Sequence, residues 1–180
     1  MVNIIVVGDE EVGKTTLCHF MANGYNERLQ QQIDKYYPTV GIDFVNKQAT
    51  PSGVSTVLWD TSGQTRFLKI LEQYLESSRV VLMCFDLSRK DTFASLPAWF
   101  EKCSALNKTV FLVGCKMDIS NNDAVCVDAI GQYADEIGAN YYPTSSVDGS
   151  GVLDLRNHID KHLDMIERPI VVDKQELRPS

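Results

Sequence analysis

Gly8-Asp9-Glu10-Glu11-Val12-Gly13-Lys14-Thr15 is the segment of this chain best equipped for chemistry. Gly8 and Gly13 let the backbone turn tightly enough to aim its N–H groups inward, and a helix starting after Gly13 adds the partial positive charge of its N-terminus. Lys14 is then placed to reach the outer oxygens of a triphosphate, and the Thr15 hydroxyl has the size to ligate Mg2+. Glu11, Val12, Gly13, Lys14, Thr15 and Thr16 make up the expected phosphate-binding set. A P-loop of this kind needs a strand before it and a helix after it. The β-branched run from Val2 to Val7 supplies the strand.

Two later segments extend the site. In Trp59-Asp60-Thr61-Ser62-Gly63-Gln64, Asp60 stands at a strand end where it can hold Mg2+ through water, and Gly63 offers a backbone N–H to a γ-phosphate. Gln64 can then orient an attacking water. In Val113-Gly114-Cys115-Lys116-Met117-Asp118, the Asp118 carboxylate can accept two N–H bonds from one purine edge. Only guanine presents that pair of donors, and adenine would leave the carboxylate lone pairs unmet. Lys116 can lay its aliphatic stem along the base. Asp118 would equally serve as a cap for a turn beginning near Ile119. The expected cofactors are GTP or GDP with Mg2+, and the motif set opposes an ATPase or kinase of another P-loop class.

The elements that must position these residues alternate between strand and helix with short connections. A helix is expected from Lys14 to Ala22, closed by Asn23-Gly24. Tyr25 to Tyr37, with its Gln30-Gln31-Gln32 run, is read as the longest irregular segment. Ile42 to Ala49 and Ser55 to Trp59 flank Pro51-Ser52-Gly53 as a hairpin. Val80 to Phe85 and Val110 to Val113 have the continuous apolar character of central strands, and Tyr141-Tyr142 opens a last one. A helix from Asp128 to Ile137 is expected with Asp128 as its N-cap. Val152, Leu155, Ile159, Leu163 and Ile166 recur at helical steps, the stripe of a final helix laid on a sheet. The fold class is α/β: a doubly wound, mostly parallel sheet of six strands with one antiparallel edge strand, its ligand at the carboxyl ends of the strands.

At 180 residues the chain is one domain with room for a proper core, and 44% hydrophobic with 23% charged residues is ordinary for a globular protein. A net charge of −7 argues against a phosphate-backbone interface, so nucleic acid is not expected as a partner. No apolar run approaches a membrane span, and Met1-Val2-Asn3 begins neither a signal peptide nor a myristoylation site. The five cysteines, Cys18, Cys84, Cys103, Cys115 and Cys126, are odd in number and sit mostly among apolar neighbours. They read as reduced cytosolic thiols in or near a core.

From about Asn3 to Ile166 these segments resemble the Rab family of Ras-like small GTPases. The resemblance is strongest in Tyr37-Pro38-Thr39-Val40-Gly41-Ile42-Asp43-Phe44 and in Trp59-Asp60-Thr61-Ser62-Gly63-Gln64-Thr65-Arg66-Phe67. It implies a P-loop NTPase small G domain over 1–168 and a short tail over 169–180. It further implies a switch that hydrolyses GTP slowly, in vesicle trafficking. Thr39 would be the switch I ligand of Mg2+ and Gln64 the hydrolytic glutamine, with Ser145 and Ser146 in the last guanine loop. An exchange factor, an activating protein and effectors would read the Thr39 to Phe44 edge with Trp59, Phe67 and Tyr74. The protein would be a cytoplasmic monomer.

The chain also leaves the family pattern. Cys115 stands where the family has Asn, and a thiol is a poor donor and acceptor, which predicts faster nucleotide exchange. Glu10 and Glu11 replace small residues, which predicts slow hydrolysis and a weak response to an arginine finger. Switch I carries an apparent insertion around Gln30 to Lys35, leaving Tyr25 as the candidate aromatic at the base edge, and Val147 replaces a Lys after the last guanine loop. No cysteine follows Cys126, so no lipid anchor is visible and membrane association is expected only through a partner or a missing segment. These departures keep open an alternative, a GTPase-like scaffold that holds nucleotide poorly.

Overall fold

The computed structural model describes residues 1–24, 26–35, 37–47, 49–104, 108–119 and 124–167. Six strands form one sheet: β1 (Val2–Val7), β2 (Ile42–Lys47), β3 (Thr56–Thr61), β4 (Val80–Asp86), β5 (Thr109–Cys115) and β6 (Asn140–Pro143). Their order is β2-β3-β1-β4-β5-β6, parallel throughout except for the β2–β3 hairpin at one edge. The helices are α1 (Lys14–Asn23), α2 (Glu27–Asp34), α3 (Leu68–Ser77), α4 (Lys90–Ala94), α5 (Leu96–Ser104), α6 (Val127–Ile137) and α7 (Val152–Glu167).

Period-two alternation in β1 sends Ile4 and Val6 to one face of the sheet and Ile5 and Val7 to the other. Leu17 and Met21 of α1 cover the first face together with Leu155, Ile159 and Leu163 of α7. Leu75 of α3, Leu96 and Trp99 of α5 and Ile130 of α6 cover the second. Every residue of β4 is buried, as a strand covered on both faces must be. With both faces covered, the loops at the carboxyl ends of the strands are where a fold of this kind takes its ligand, and the motif segments begin there.

Three expectations need correction. The stretch after Asn23 is not irregular throughout, because Glu27–Asp34 is a helix. The Asn26 side chain caps it by accepting the Leu29 N–H at 3.0 Å, Glu27 lies in its first turn, and Leu29 is buried. The α6 helix is flanked at its start by Cys126, so Asp128 lies inside the first turn, where its charge suits the helix dipole without capping it. On α7 the stripe holds for Val152, Leu155, Ile159 and Leu163, whereas Ile166 is 41% exposed near the helix end. Cys126 is exposed, unlike the other four cysteines. Among the described residues, no helix is long and apolar enough to cross a membrane.

A buried ion pair fixes the edge hairpin. Lys47 of β2 meets Asp160 of α7, and Thr50 and Ser52 of the hairpin turn bond Asp164 one turn further along. The antiparallel edge therefore has a polar anchor to the C-terminal helix.

Candidate functional site

The P-loop leaves β1 with Gly8 at φ 137° and enters α1 through Gly13 at φ 107°. A Cβ at Gly8 would lie 2.1 Å from the Cys84 carbonyl oxygen, so only glycine fits against β4. Val12 is buried, while Glu10 and Glu11 are exposed. Lys14 turns back into the loop and donates to the carbonyls of Gly8 at 2.9 Å and Asp9 at 2.5 Å. Burial pushes its pKa below the ordinary lysine value, against the opposing pull of Asp60. Thr16 follows half-buried on α1.

Three elements bring oxygen atoms together beside Lys14. Thr15 lies in the first turn of α1, Thr39 before β2, and Asp60 next to the last residue of β3. Thr15 Oγ1 is 2.6 Å from Asp60 Oδ2 and 2.8 Å from Thr39 Oγ1, and Thr39 Oγ1 donates to Asp60 Oδ2 at 3.2 Å. The other carboxylate oxygen, Asp60 Oδ1, is buried with no hydrogen-bond partner. Burial raises the Asp60 pKa, opposed by the Thr15 bond and Lys14. An unmet carboxylate oxygen beside two hydroxyls is a donor set suited to a hard divalent cation, so these residues fit Mg2+. Among the described residues, no group of three His, Cys, Asp or Glu side chains offers another metal centre.

Gly63 packs directly on the P-loop. Its φ is 77°, and a Cβ there would meet the Gly8 oxygen and the Glu10 nitrogen within 2.7 Å. Gln64 next to it is held at both ends of its carboxamide. Its Nε2 donates to Glu10 Oε2 at 3.1 Å, and its Oε1 accepts from Arg66 Nε at 2.7 Å. Glu10 of the P-loop is thus tied directly to the Gln64 side chain. Asp9 anchors the start of the loop to α5 by accepting from Ser95 Oγ at 2.6 Å and Trp99 Nε1 at 2.7 Å. Nothing in the order of residues announced that contact.

The loops after β5 and β6 are tied to each other by backbone bonds. Thr144 N–H donates to the Gly114 carbonyl at 2.7 Å, and Met117 N–H to the Thr144 carbonyl at 3.0 Å. Ser145 is buried and its Oγ accepts from Val147 N–H at 3.2 Å, while Ser146 is half-buried. Asp118 is exposed at the rim, and Lys116 sits at φ 61° with its ammonium 2.8 Å from Asp86 Oδ2. Cys115 is buried beneath Gly13, where an added Cβ would meet its Sγ only at 4.0 Å. The neighbouring Cys84 and Thr144 side chains bond elsewhere, Cys84 Sγ to the Leu82 carbonyl at 3.9 Å and Thr144 Oγ1 to the Gly114 carbonyl at 3.2 Å. Burial, reinforced by the neighbouring Cys115, pushes the Cys84 thiol well above its ordinary value. Tyr25 and the tail over 169–180 lie outside the described residues.

The Thr39 to Phe44 edge exposes Val40 and Phe44. Trp59 lies between Phe44 and Tyr74, with ring centroids 5.8 and 4.5 Å away and both rings tilted at 53° to it, and its buried Nε1 lacks a partner. Tyr74 is half-buried, and the Arg66 guanidinium covers Phe67 at 4.9 Å.

Comparison with known proteins agrees with this geometry. The model of the Ras family matches residues 3–164. The chain is 37% identical over 122 residues to Ras-related protein Rab-19 of Homo sapiens, covering 64% of this chain and 53% of that protein. It therefore spans about half the length of its Rab-19 relatives. It is 28% identical over 155 residues to Ras-related protein RABD2a of Arabidopsis thaliana, covering 83% of this chain and 73% of that protein. Ras-related protein RabJ of Dictyostelium discoideum is 29% identical over 166 residues, covering 89% of this chain and 62% of that protein.

Proposed function

We propose that this chain, which belongs to the Ras family, works as a Rab-like guanine-nucleotide switch that binds GDP and GTP with Mg2+ and hydrolyses GTP slowly. One observation carries the metal-dependent part: Asp60 Oδ1 is buried without a partner beside the hydroxyls of Thr15 and Thr39. Thr15 and Thr39 would ligate Mg2+, with Asp60 holding it through water, and the ion would supply positive charge to the phosphate oxygens. Lys14 neutralises phosphate charge, and the backbone at Glu11, Val12 and Gly13 donates to it. Asp118 selects guanine, Lys116 covers the base, and the loop at Ser145 and Ser146 faces the base carbonyl. Gln64 positions the attacking water once it leaves its resting contacts.

Switching follows from the same parts. Thr39 and Gly63 belong to the two loops that a γ-phosphate would hold, and hydrolysis would release them. An exchange factor, an activating protein and effectors would then read the edge from Thr39 to Phe44 with Trp59, Phe67 and Tyr74. A role in vesicle trafficking and a cytoplasmic location belong to the same reading, as what the resemblance to the Rab family implies.

The metal claim is tested by measuring release of a fluorescent GDP analogue in excess Mg2+ and after chelation. Chelation should speed release in the wild type and have little effect in Asp60→Ala. Release insensitive to Mg2+ in the wild type would remove the metal from the account.

A further inference from the structure

Glu11 holds a φ of 64°, in the left-handed region that a residue with a side chain adopts only when its surroundings impose it. The peptide just before it is restrained from outside the loop. Arg89, at the junction between β4 and α4, donates from Nη2 to the Glu10 carbonyl at 3.0 Å. In a planar trans peptide the carbonyl and the following N–H point in opposite directions. A guanidinium that holds the Glu10 carbonyl on the outer side of the loop therefore aims the Glu11 N–H toward the inside, where the phosphates are expected.

Arg89 is itself well seated. Its Nε lies 3.4 Å from Asp86 Oδ2, an ion-pair distance without hydrogen-bond alignment, and its own N–H donates to the Asp86 carbonyl at 3.0 Å. Asp86 Oδ2 also meets the Lys116 ammonium at 2.8 Å, while Asp86 Oδ1 accepts from Ser88 N–H at 2.9 Å and Ser88 Oγ at 2.6 Å. Burial alone would raise the Asp86 pKa, but the bonds from Lys116 and Ser88 hold it below its ordinary value, so the carboxylate is charged. The result is a continuous polar chain from the P-loop carbonyl through Arg89 and Asp86 to Lys116 in the base loop. Arg89 and Asp86 thereby connect the phosphate loop to the loop after β5.

We infer that Arg89 is a positioning residue for nucleotide binding, bracing the Glu10–Glu11 peptide and coupling the phosphate loop to Lys116, a role that presupposes the guanine-nucleotide site proposed above. The guanidinium is needed for its shape, because one ammonium cannot hold Asp86 and the Glu10 carbonyl at the same time with fork geometry. The brace matters most while Glu11 is strained. Glycine at that position adopts positive φ without strain and would reduce the need for it.

The experiment is stopped-flow release of a fluorescent GDP analogue in excess Mg2+ from wild type, Arg89→Ala, Arg89→Lys, Glu11→Gly and Arg89→Ala/Glu11→Gly. Release should quicken about tenfold in Arg89→Ala and by a smaller factor in Arg89→Lys, whereas adding Arg89→Ala to Glu11→Gly should change it by less than about twofold. A merely structural arginine would give the same factor in both backgrounds. That outcome, or unchanged release in both Arg89 variants, overturns the inference and leaves the nucleotide-switch proposal standing. Failure of the wild type to bind the analogue at all overturns both.

Discussion

Replacing Glu10 by glycine should raise intrinsic GTP hydrolysis about fivefold. The carboxamide of Gln64 is occupied at both ends, by Glu10 Oε2 at 3.1 Å and by Arg66 Nε at 2.7 Å. To orient a water it must free at least one of them. A hydrogen bond to a charged group contributes about 1.5–3 kcal/mol when shielded, and exposure of Glu10 reduces this to about 1 kcal/mol. At room temperature about 1 kcal/mol corresponds to a fivefold change in the population of free Gln64, and the rate follows that population as long as the chemical step comes after release. Glu10→Gln keeps an acceptor but loses the charge, so its rate should rise by about twofold or less. The assay is single-turnover hydrolysis of preloaded GTP, started with Mg2+ and read as GDP formed over time. Adding Gln64→Leu to Glu10→Gly must abolish the gain. An unchanged rate in Glu10→Gly, or a gain that survives Gln64→Leu, would refute the idea that Glu10 restrains the glutamine.

Two other perturbations test different links. Cys115→Asn restores a side chain able to bond both base and loops, and two regained bonds of about 1–3 kcal/mol in total should slow GDP release about five- to hundredfold; an unchanged rate would remove Cys115 as the cause of weak binding. Lys47→Met leaves the buried Asp160 carboxylate only its 3.8 Å contact with Arg156 Nε and should cost about 3 kcal/mol of stability in urea unfolding, with much of it recovered in Lys47→Met/Asp160→Leu; a neutral single substitution would show that the pair does not hold the hairpin.

The sequence was legible where chemistry or burial is local. Gly8, Gly13, Lys14 and Thr15 lie close together in the chain, and their spacing carries the phosphate chemistry directly. The strands were legible because a parallel sheet covered on both faces demands unbroken apolar runs, as from Val80 to Phe85. The α2 helix was not, because Leu29 and Ile33, four residues apart behind the Asn26 cap, are too short an apolar signal beside the glutamine run. Long-range polar partners were also out of reach. Glu10 and Gln64 are 54 residues apart, Arg89 and Glu10 are 79, and Lys47 and Asp160 are 113. No periodicity or motif links such pairs, since only the sheet order brings them together. The departure at Cys115 was visible in the sequence, but its place opposite Asp86 depends on the register of β4 against β5.

The most direct measurement is the nucleotide content and fate in the purified protein. The protein is denatured, the supernatant is run on ion-exchange chromatography, and a second sample is incubated with GTP and Mg2+ and analysed the same way. A guanine-nucleotide switch predicts bound GDP and slow conversion of GTP to GDP. An empty site, or GTP that stays intact, would contradict it and turn the weight toward a scaffold built on the same fold.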